Sequence, residues 1–405
     1  MLIGIDASRA NRIRKTGTEW YSFYLIKNLA KIDKTNTYRL YLDVPPTAEM
    51  IKAVKDNPNF SFKVLNWPFR FFWTLGRLTW EMIWRHPDVL FVPAHALPLV
   101  SPRRTVNTIH DIAFIREQRV YRSEKIKINL PGSRPVIDFF IRVLTGGKYR
   151  SGSVDYLRWS TAFALKHAKK IIAVSEFTKK EILELYPKVP GEKINVVYNG
   201  YNRELFHPCF NFDKQAAVLN EYGLERPFFL YVGRLEKKKN TSILVEALAL
   251  LRESHPEIKE KLVLIGDAGF GYDEIKYAIE EFDLESDVLM PGWAAEEDLP
   301  CIFSAAEAFI FPSKHEGFGL PVIQAMACDT PVIASDISVL KEIAGDAVEY
   351  FKQNNKDSLA QAMVKIINSS ALREELKIKG RARAKEFDWE KCARETLRVL
   401  EESGE

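Results

Sequence analysis

At 405 residues the chain exceeds what one hydrophobic core serves, so two domains of ordinary size are expected. A hydrophobic share of 46% and a charged share of 28% are those of a soluble globular protein, and a net charge of +4 is too small to imply nucleic acid as a partner. The four cysteines, Cys209, Cys301, Cys328 and Cys392, are scattered without metal-like pairing, which points to a reducing compartment and no disulfide framework.

Leu2–Ile5 reads as a short buried strand ended by Asp6, a charge too early for a signal peptide. The loop from Ala7 to Thr18 carries Arg9, Arg12, Arg14, Lys15 and Gly17, and a helix follows from Trp20 with Leu25, Ile26 and Leu29 at helical spacing. A basic loop ending in Thr16-Gly17-Thr18 before a helix suits an anion, and a solvated surface loop fits the spacing equally well. Thr37 to Val44 alternates as a strand would. From Trp67 to Trp84 the chain concentrates Trp67, Phe69, Phe71, Phe72, Trp73, Trp80 and Trp84 with Arg70, Arg77 and Arg85. An aromatic helix face packed into the first domain's core is the favoured reading. A patch that touches a membrane interface is the other.

Pro87–Val92 is a further buried strand, and Thr105–Ile109 another, with His110-Asp111 at its carboxyl end. A parallel sheet presents its ligand-facing residues there, which makes the pair a candidate for a site. Between about 121 and 156 Lys125, Lys127, Arg134, Arg142, Lys148 and Arg150 surround the apolar run Val136–Leu144. Gly146-Gly147 and Ser151-Gly152-Ser153 mark a mobile connection. Ile171–Val174 and Ile194–Val197 are the next strands, and Ser175 between them suits a helix N-cap.

Pro227–Val232 opens the second domain as a buried strand, followed by Gly233-Arg234-Leu235-Glu236-Lys237-Lys238-Lys239 and a helix through Leu244, Leu248 and Leu251. Cations directly after a strand and at the mouth of a helix suit a pyrophosphate, while Lys237 and Lys238 read as a solvated face. Leu262–Ile265 and Val288–Met290 continue the sheet, and Trp293 follows the second of these. Ala308–Phe311, a glycine-bearing loop, a helix and then Val332–Ala334 form a strand–loop–helix–strand unit of a parallel sheet. The loop and helix read His315-Glu316-Gly317-Phe318-Gly319-Leu320-Pro321-Val322-Ile323-Gln324. Gly317 and Gly319 let backbone approach a ligand, and Glu316 and Gln324 face it from two sides.

Glu316-Gly317-Phe318-Gly319-Leu320-Pro321, with a polar residue eight after Glu316, resembles the signature of the family-4 (group 1) glycosyltransferases of the GT-B fold. Gly233-Arg234 with Lys239 five residues on, His110-Asp111, Thr16-Gly17 and Leu205-Phe206-His207-Pro208 fall in the family's order. The resemblance implies an α/β GT-B protein, two Rossmann-like doubly wound parallel-sheet domains facing across a cleft. Its parts are an acceptor-side domain over 1–205 with an insertion at about 121–156, a nucleotide-sugar domain over 206–386, and a helix over 387–405 crossing back to the first domain.

By the same resemblance the enzyme moves a hexose from a nucleotide-diphosphate sugar, GDP- or UDP-linked, to a saccharide or lipid-linked acceptor. Configuration is retained, no cofactor or metal is bound, and the product belongs to cell-surface polysaccharide or glycolipid. Arg234 and Lys239 hold the diphosphate, Glu316 and His110 the sugar, and Gln324 the ribose. Gly17, Gly233, Gly317, Phe318, Gly319 and Leu320 approach the donor, and Trp293 either stacks on the base or packs on its own helix. The chain departs from the pattern at Gln324, where the family has Glu, and at Glu19, where it has a second glycine. The expected location is cytoplasmic, with peripheral contact at the inner membrane face. Two alternatives remain at this level: a nucleotide-sugar 2-epimerase, and a non-catalytic GT-B subunit suggested by Gln324.

Overall fold

The computed structural model describes residues 1–68, 73–94, 96–116 and 153–404 and divides into two units, Met1–Gly200 with Trp389–Glu405, and Tyr201–Asp388. In the first unit seven strands run β1 (Leu2–Asp6), β2 (Thr37–Leu42), β3 (Phe60–Val64), β4 (Val89–Val92), β5 (Thr105–Ile109), β6 (Lys170–Ala173) and β7 (Ile194–Val196). They hydrogen-bond in the order β3-β2-β1-β4-β5-β6-β7, all parallel. Helices cover both faces: α1 (Gly17–Ile32) and α2 (Ala48–Val54), then α3 (Thr79–Arg85), α4 (Ala113–Arg116), α5 (Ser153–His167) and α6 (Glu176–Leu185).

The second unit contains α7 (Phe212–Glu221), β8 (Phe228–Val232), α8 (Ser242–Ser254), β9 (Lys261–Ile265), α9 (Tyr272–Glu281), β10 (Val288–Gly292) and α10 (Leu299–Ala305). It continues with β11 (Ala308–Phe311), α11 (Leu320–Ala327), β12 (Val332–Ser335), α12 (Ser338–Ala344), β13 (Glu349–Phe351), α13 (Lys356–Asn368) and α14 (Ser370–Ala384). Its six parallel strands lie in the order β10-β9-β8-β11-β12-β13. A strand buried on both faces reads as an unbroken apolar run, which is why Phe228–Tyr231 and Ala308–Ile310 are wholly buried. Strand order reverses between β8 and β11 in this sheet and between β1 and β4 in the first. In open α/β sheets ligands bind at the carboxyl edge of such a reversal.

The last helix, α15 (Trp389–Gly404), belongs to the first unit and packs on α1. Trp389 stacks on Tyr24 at 5.6 Å between centroids, and Lys31 pairs with Glu390 at 2.8 Å. At the far end of α1 the chain turns on Asp33, whose carboxylate accepts from Thr35 N, Thr35 Oγ1, Asn36 Nδ2 and Tyr38 Oη at 2.6–2.9 Å. This clasp fixes the register in which β2 enters beside β1.

Three expectations change. The aromatic segment was expected to pack inward, and Trp73 does, donating from Nε1 to the Leu65 carbonyl at 2.9 Å. Trp80 and Trp84 instead face solvent, because Leu75, Leu78 and Met82 already occupy the helix's core face. Phe69, Arg70, Phe71 and Phe72 lie outside the described residues, as does the insertion expected at about 121–156 except for its last few positions, Val154 to Tyr156 among them. The cysteines were expected to be unpaired, and Cys209 and Cys301 are bonded, their Cα atoms 5.1 Å apart across 92 residues of sequence. Finally, Thr16 to Thr18 is less an open anion cradle than a helix cap. Glu19 accepts from Thr16 N at 3.2 Å and pairs with Arg9 at 3.0 Å, Arg12 pairs with Asp43 at 2.6 Å, and Lys15 is buried against Glu49.

Burial works to raise the Asp33 carboxyl, and the bonds from Tyr38, Thr35 and Asn36 outweigh it and hold the group down at about 2. A depressed folded pKa means stability present in full above the ordinary 3.8 and lost as pH falls through about 2. Tyr38→Phe is expected to raise the Asp33 pKa and cost about 1 kcal/mol at neutral pH. An NMR titration of the Asp33 carboxyl with urea denaturation at pH 7 checks both, and an unmoved Asp33 would refute the clasp.

Candidate active site

The switch point of the second sheet gathers the loop after β8 and the loop after β11. Tyr231, fully buried on β8, donates its hydroxyl to the Arg234 carbonyl at 3.1 Å. Burial, with Glu316 and Glu236 nearby, pushes its phenol well above the ordinary value, so the group stays a proton donor. Gly233 (φ +151°) and Gly266 (φ +145°) face each other here, and a Cβ on Gly266 would lie 2.0 Å from the Gly233 carbonyl oxygen. The loops after β8 and β9 approach so closely that only hydrogen fits between them.

From this base the cations rise. The buried carboxylate of Glu236 sits 3.1 Å from Lys238 Nζ and 3.9 Å from Arg234 Nε, anchoring both. The backbone makes a short 3-10 turn at Lys237–Lys239 before α8, and Lys237 turns away to pair with Glu274 at 2.5 Å. Lys239 turns the other way. Its Nζ meets Glu316 Oε1 at 2.5 Å, with the Phe311 ring 5.8 Å off. The same Glu316 oxygen accepts from Ser313 Oγ at 2.6 Å, and Ser313 is itself fully buried with its carbonyl held by Ser335 Oγ at 2.7 Å. Lys314 is tied on each side, its carbonyl accepting from Gln353 Nε2 at 2.7 Å and its N–H reaching Lys238 O at 3.4 Å.

Beyond Glu316 the loop enters α11 through Gly319, whose φ of +99° and a Leu340 methyl 2.8 Å from any Cβ both demand glycine. Pro321 in the first turn supplies a helical φ and needs no partner for a missing N–H. Gln324 lies one turn on, half-buried, its amide making no hydrogen bond among the described residues. The structure thus brings Gly233, Arg234, Lys239, Glu316, Gly317, Phe318, Gly319, Leu320 and Gln324 to one switch point. Phe318 is the inward member of the loop, edge-on to Phe387 at 5.6 Å. Trp293 follows edge strand β10, two strands away, and is exposed. Sequence reasoning missed Tyr231, Glu236 and Ser313. A buried Glu between Arg234 and Lys238 was the one visible signal.

His110 and Gly17 belong to the first unit. The His110 Nε2 lies 3.0 Å from the Pro93 carbonyl, so that nitrogen carries the proton, and the ring meets Tyr21 edge-on at 4.7 Å. Asn107, fully buried within β5, donates to the Val92 carbonyl at 3.1 Å and also to that of Ala94. The Pro93 turn and the imidazole are therefore set by one neighbour. Asp111 caps the turn into α4, accepting from Ala113 N at 3.2 Å. Gly17 has open space where a Cβ would go and no positive φ, so neither packing nor backbone requires glycine there.

A carboxylate and an ammonium in contact at the mouth of a parallel sheet, beside a glycine-led helix, is an arrangement for an anionic ligand carrying a polar group. Residues 213–383 match the glycosyl transferases group 1 model and residues 16–205 match glycosyltransferase family 4. The chain belongs to the group 1 glycosyltransferases. Its relatives include the O-antigen chain mannosyltransferase B of Escherichia coli, 29% identical over 387 residues, covering 94% of this chain and 95% of that one. Among solved structures, sucrose-phosphate synthase of Thermosynechococcus elongatus superposes at a TM-score of 0.72 with 20% identity, covering 99% and 98% of the two chains. HepE of Anabaena, solved with UDP and glucose, does so at 0.68 with 18% identity and 99% of each chain. These likenesses establish the GT-B fold.

Two substitutions probe this group 1 site. Ser313→Ala removes one of the two bonds that orient Glu316 and is expected to lower kcat about tenfold while leaving the fold intact. Full turnover would show that Lys239 alone positions the carboxylate. Gly266→Ala is expected to cost about 3 kcal/mol in chemical denaturation, since both φ and the Gly233 carbonyl oppose a Cβ. A loss under about 0.5 kcal/mol would mean the two loops separate freely.

Proposed function

We propose that this glycosyltransferase moves a hexose, mannose foremost, from a GDP- or UDP-linked donor to a hydroxyl of a saccharide or lipid-linked acceptor, with retention of configuration. The product would be a cell-surface polysaccharide or glycolipid. The carrying observation is the contact of Lys239 with Glu316 at the strand-order reversal, with Arg234 anchored next to it by Glu236. The E. coli relative named as an O-antigen mannosyltransferase supports the choice of sugar and product, and the UDP and glucose bound by HepE support a nucleotide-linked sugar as the donor.

In this reading Arg234 and Lys239 take the diphosphate and face the charge that grows on it as the bond from the sugar C1 to the phosphate oxygen breaks. The electron pair stays on that oxygen, which takes the acceptor's proton as the acceptor oxygen bonds C1 from the same face. Glu316 releases part of its hold on Lys239 and accepts hydrogen bonds from the sugar hydroxyls. Backbone N–H groups of the Gly317–Leu320 stretch add to phosphate and sugar contacts. The unpaired amide of Gln324 is available to a ribose hydroxyl, through a neutral bond weaker than the carboxylate's. On the first unit His110, its ring set by the Pro93 carbonyl, stands at the carboxyl end of β5 and would take part in holding the sugar. No resident metal ion is needed in this scheme, because two side-chain cations face the leaving group.

Calorimetric titration with GDP, UDP, ADP and dTDP names the donor class. One of them is expected to bind at micromolar strength, and Gln324→Glu to tighten it about fivefold by restoring a charged acceptor. Lys239→Ala and Glu316→Ala are each expected to lower turnover at least about a hundredfold with unchanged circular dichroism. Normal turnover in either would sink the site, and an inverted anomeric centre in the product, read by NMR, would sink retention.

A further inference from the structure

α3 turns its core side inward through Leu75, Leu78, Thr79 and Met82 on the turn before it and within it. The opposite side holds Trp80, Ile83 and Trp84, which are 62%, 46% and 69% exposed. The two indoles lie 6.1 Å apart at 52°, so neither is covered by the other. Spacings of three and four place all three side chains on one helical stripe. Single exposed apolar residues are ordinary on a soluble surface, whereas two tryptophans and an isoleucine in one stripe are not.

The charges around this stripe are of one dominant sign. Glu81 is buried under the helix and already neutralised by Lys63 and by Arg77 at 3.3 Å. Arg85 follows Trp84 directly, exposed and without an ion-pair partner among the described residues. The segment Leu99–Arg104 runs alongside. Leu99 N donates to Thr79 Oγ1 at 2.8 Å at the helix start, and Leu90 N donates to the Arg104 carbonyl at 3.0 Å just beyond the helix end. That segment adds Val100, 47% exposed, and the exposed Arg103 and Arg104, again without carboxylate partners among the described residues. Asp88 nearby is exposed and accepts from Leu2 N at 2.7 Å, one carboxylate against three arginines.

We propose that this face docks the protein onto an anionic lipid surface, the indoles entering the headgroup layer and the three free guanidiniums meeting lipid phosphates. Tryptophan's amphipathic ring favours that depth, and cations beside it add attraction that a neutral bilayer lacks. Among the described residues no helix is long and apolar enough to cross a membrane, and the proposed contact is made by side chains of the α3 surface. The inference stands on the first unit alone and does not depend on which donor the enzyme uses.

Co-sedimentation of the full chain with vesicles of phosphatidylcholine, with and without phosphatidylglycerol, tests it. The wild type is expected to pellet with the anionic vesicles at least about tenfold better than with the neutral ones, and less well as salt rises. Trp80→Ser with Trp84→Ser, and separately Arg85→Glu with Arg103→Glu, are each expected to reduce anionic binding about tenfold or more. Both pairs are exposed, so unfolding is not expected, and a circular dichroism melt verifies this. Phe210→Ser with Phe212→Ser, which alters exposed aromatics on the second unit, is expected to leave binding unchanged. Absence of vesicle binding, binding untouched by the α3 variants, or a tryptophan variant that changes only the oligomeric state in gel filtration would each overturn the proposal.

Discussion

Lys239 and Glu316 are 77 residues apart in sequence and touch because β8 and β11 are hydrogen-bonded neighbours. Strand order reverses at that pair, so the chain leaves β8 toward β9 on one side and returns to β11 on the other. Much else in the second unit serves to hold the two loop ends still. Tyr231 pins the Arg234 carbonyl, Glu236 anchors the cations from beneath, and Ser313 holds Glu316 from the strand side.

The positions where this chain departs from its family are given different explanations by the structure. Glu19 takes the place of a flexible glycine and becomes a capping carboxylate for α1, joined to Thr16 and Arg9. That loop has therefore exchanged backbone freedom for an ordered helix start, and two of its arginines, Arg9 and Arg12, are engaged by Glu19 and Asp43. Gln324, by contrast, has no structural partner to explain it among the described residues, so its effect falls on whatever it meets from outside the chain.

Much of the fold was legible because parallel strands buried on both faces announce themselves as apolar runs, and because Gly319 and Pro321 are needed at a helix start of that geometry. Short or mixed strands were not. Phe60–Val64 alternates apolar and polar residues as an edge strand, and Glu349–Phe351 is too short to stand out from a loop. The Cys209–Cys301 pairing was equally invisible, since 92 residues separate partners that the fold brings together. The aromatic segment was misjudged for another reason. Composition shows that aromatics are present, but the helix phase decides which of them find the core, and Leu75, Leu78 and Met82 took that place.

The sequence by itself determined the residue types gathered at the switch point, cations at 234 and 239 after a strand and glycines at 317 and 319 before a helix. It also determined the class of protein, through several blocks in a fixed order. Only the tertiary structure decided which of three adjacent lysines faces Glu316. Lys237, Lys238 and Lys239 are identical in chemistry, and a single turn of 3-10 helix points them at Glu274, Glu236 and Glu316 respectively. That choice depends on backbone direction and on carboxylates contributed by distant segments, which no local pattern in the chain encodes.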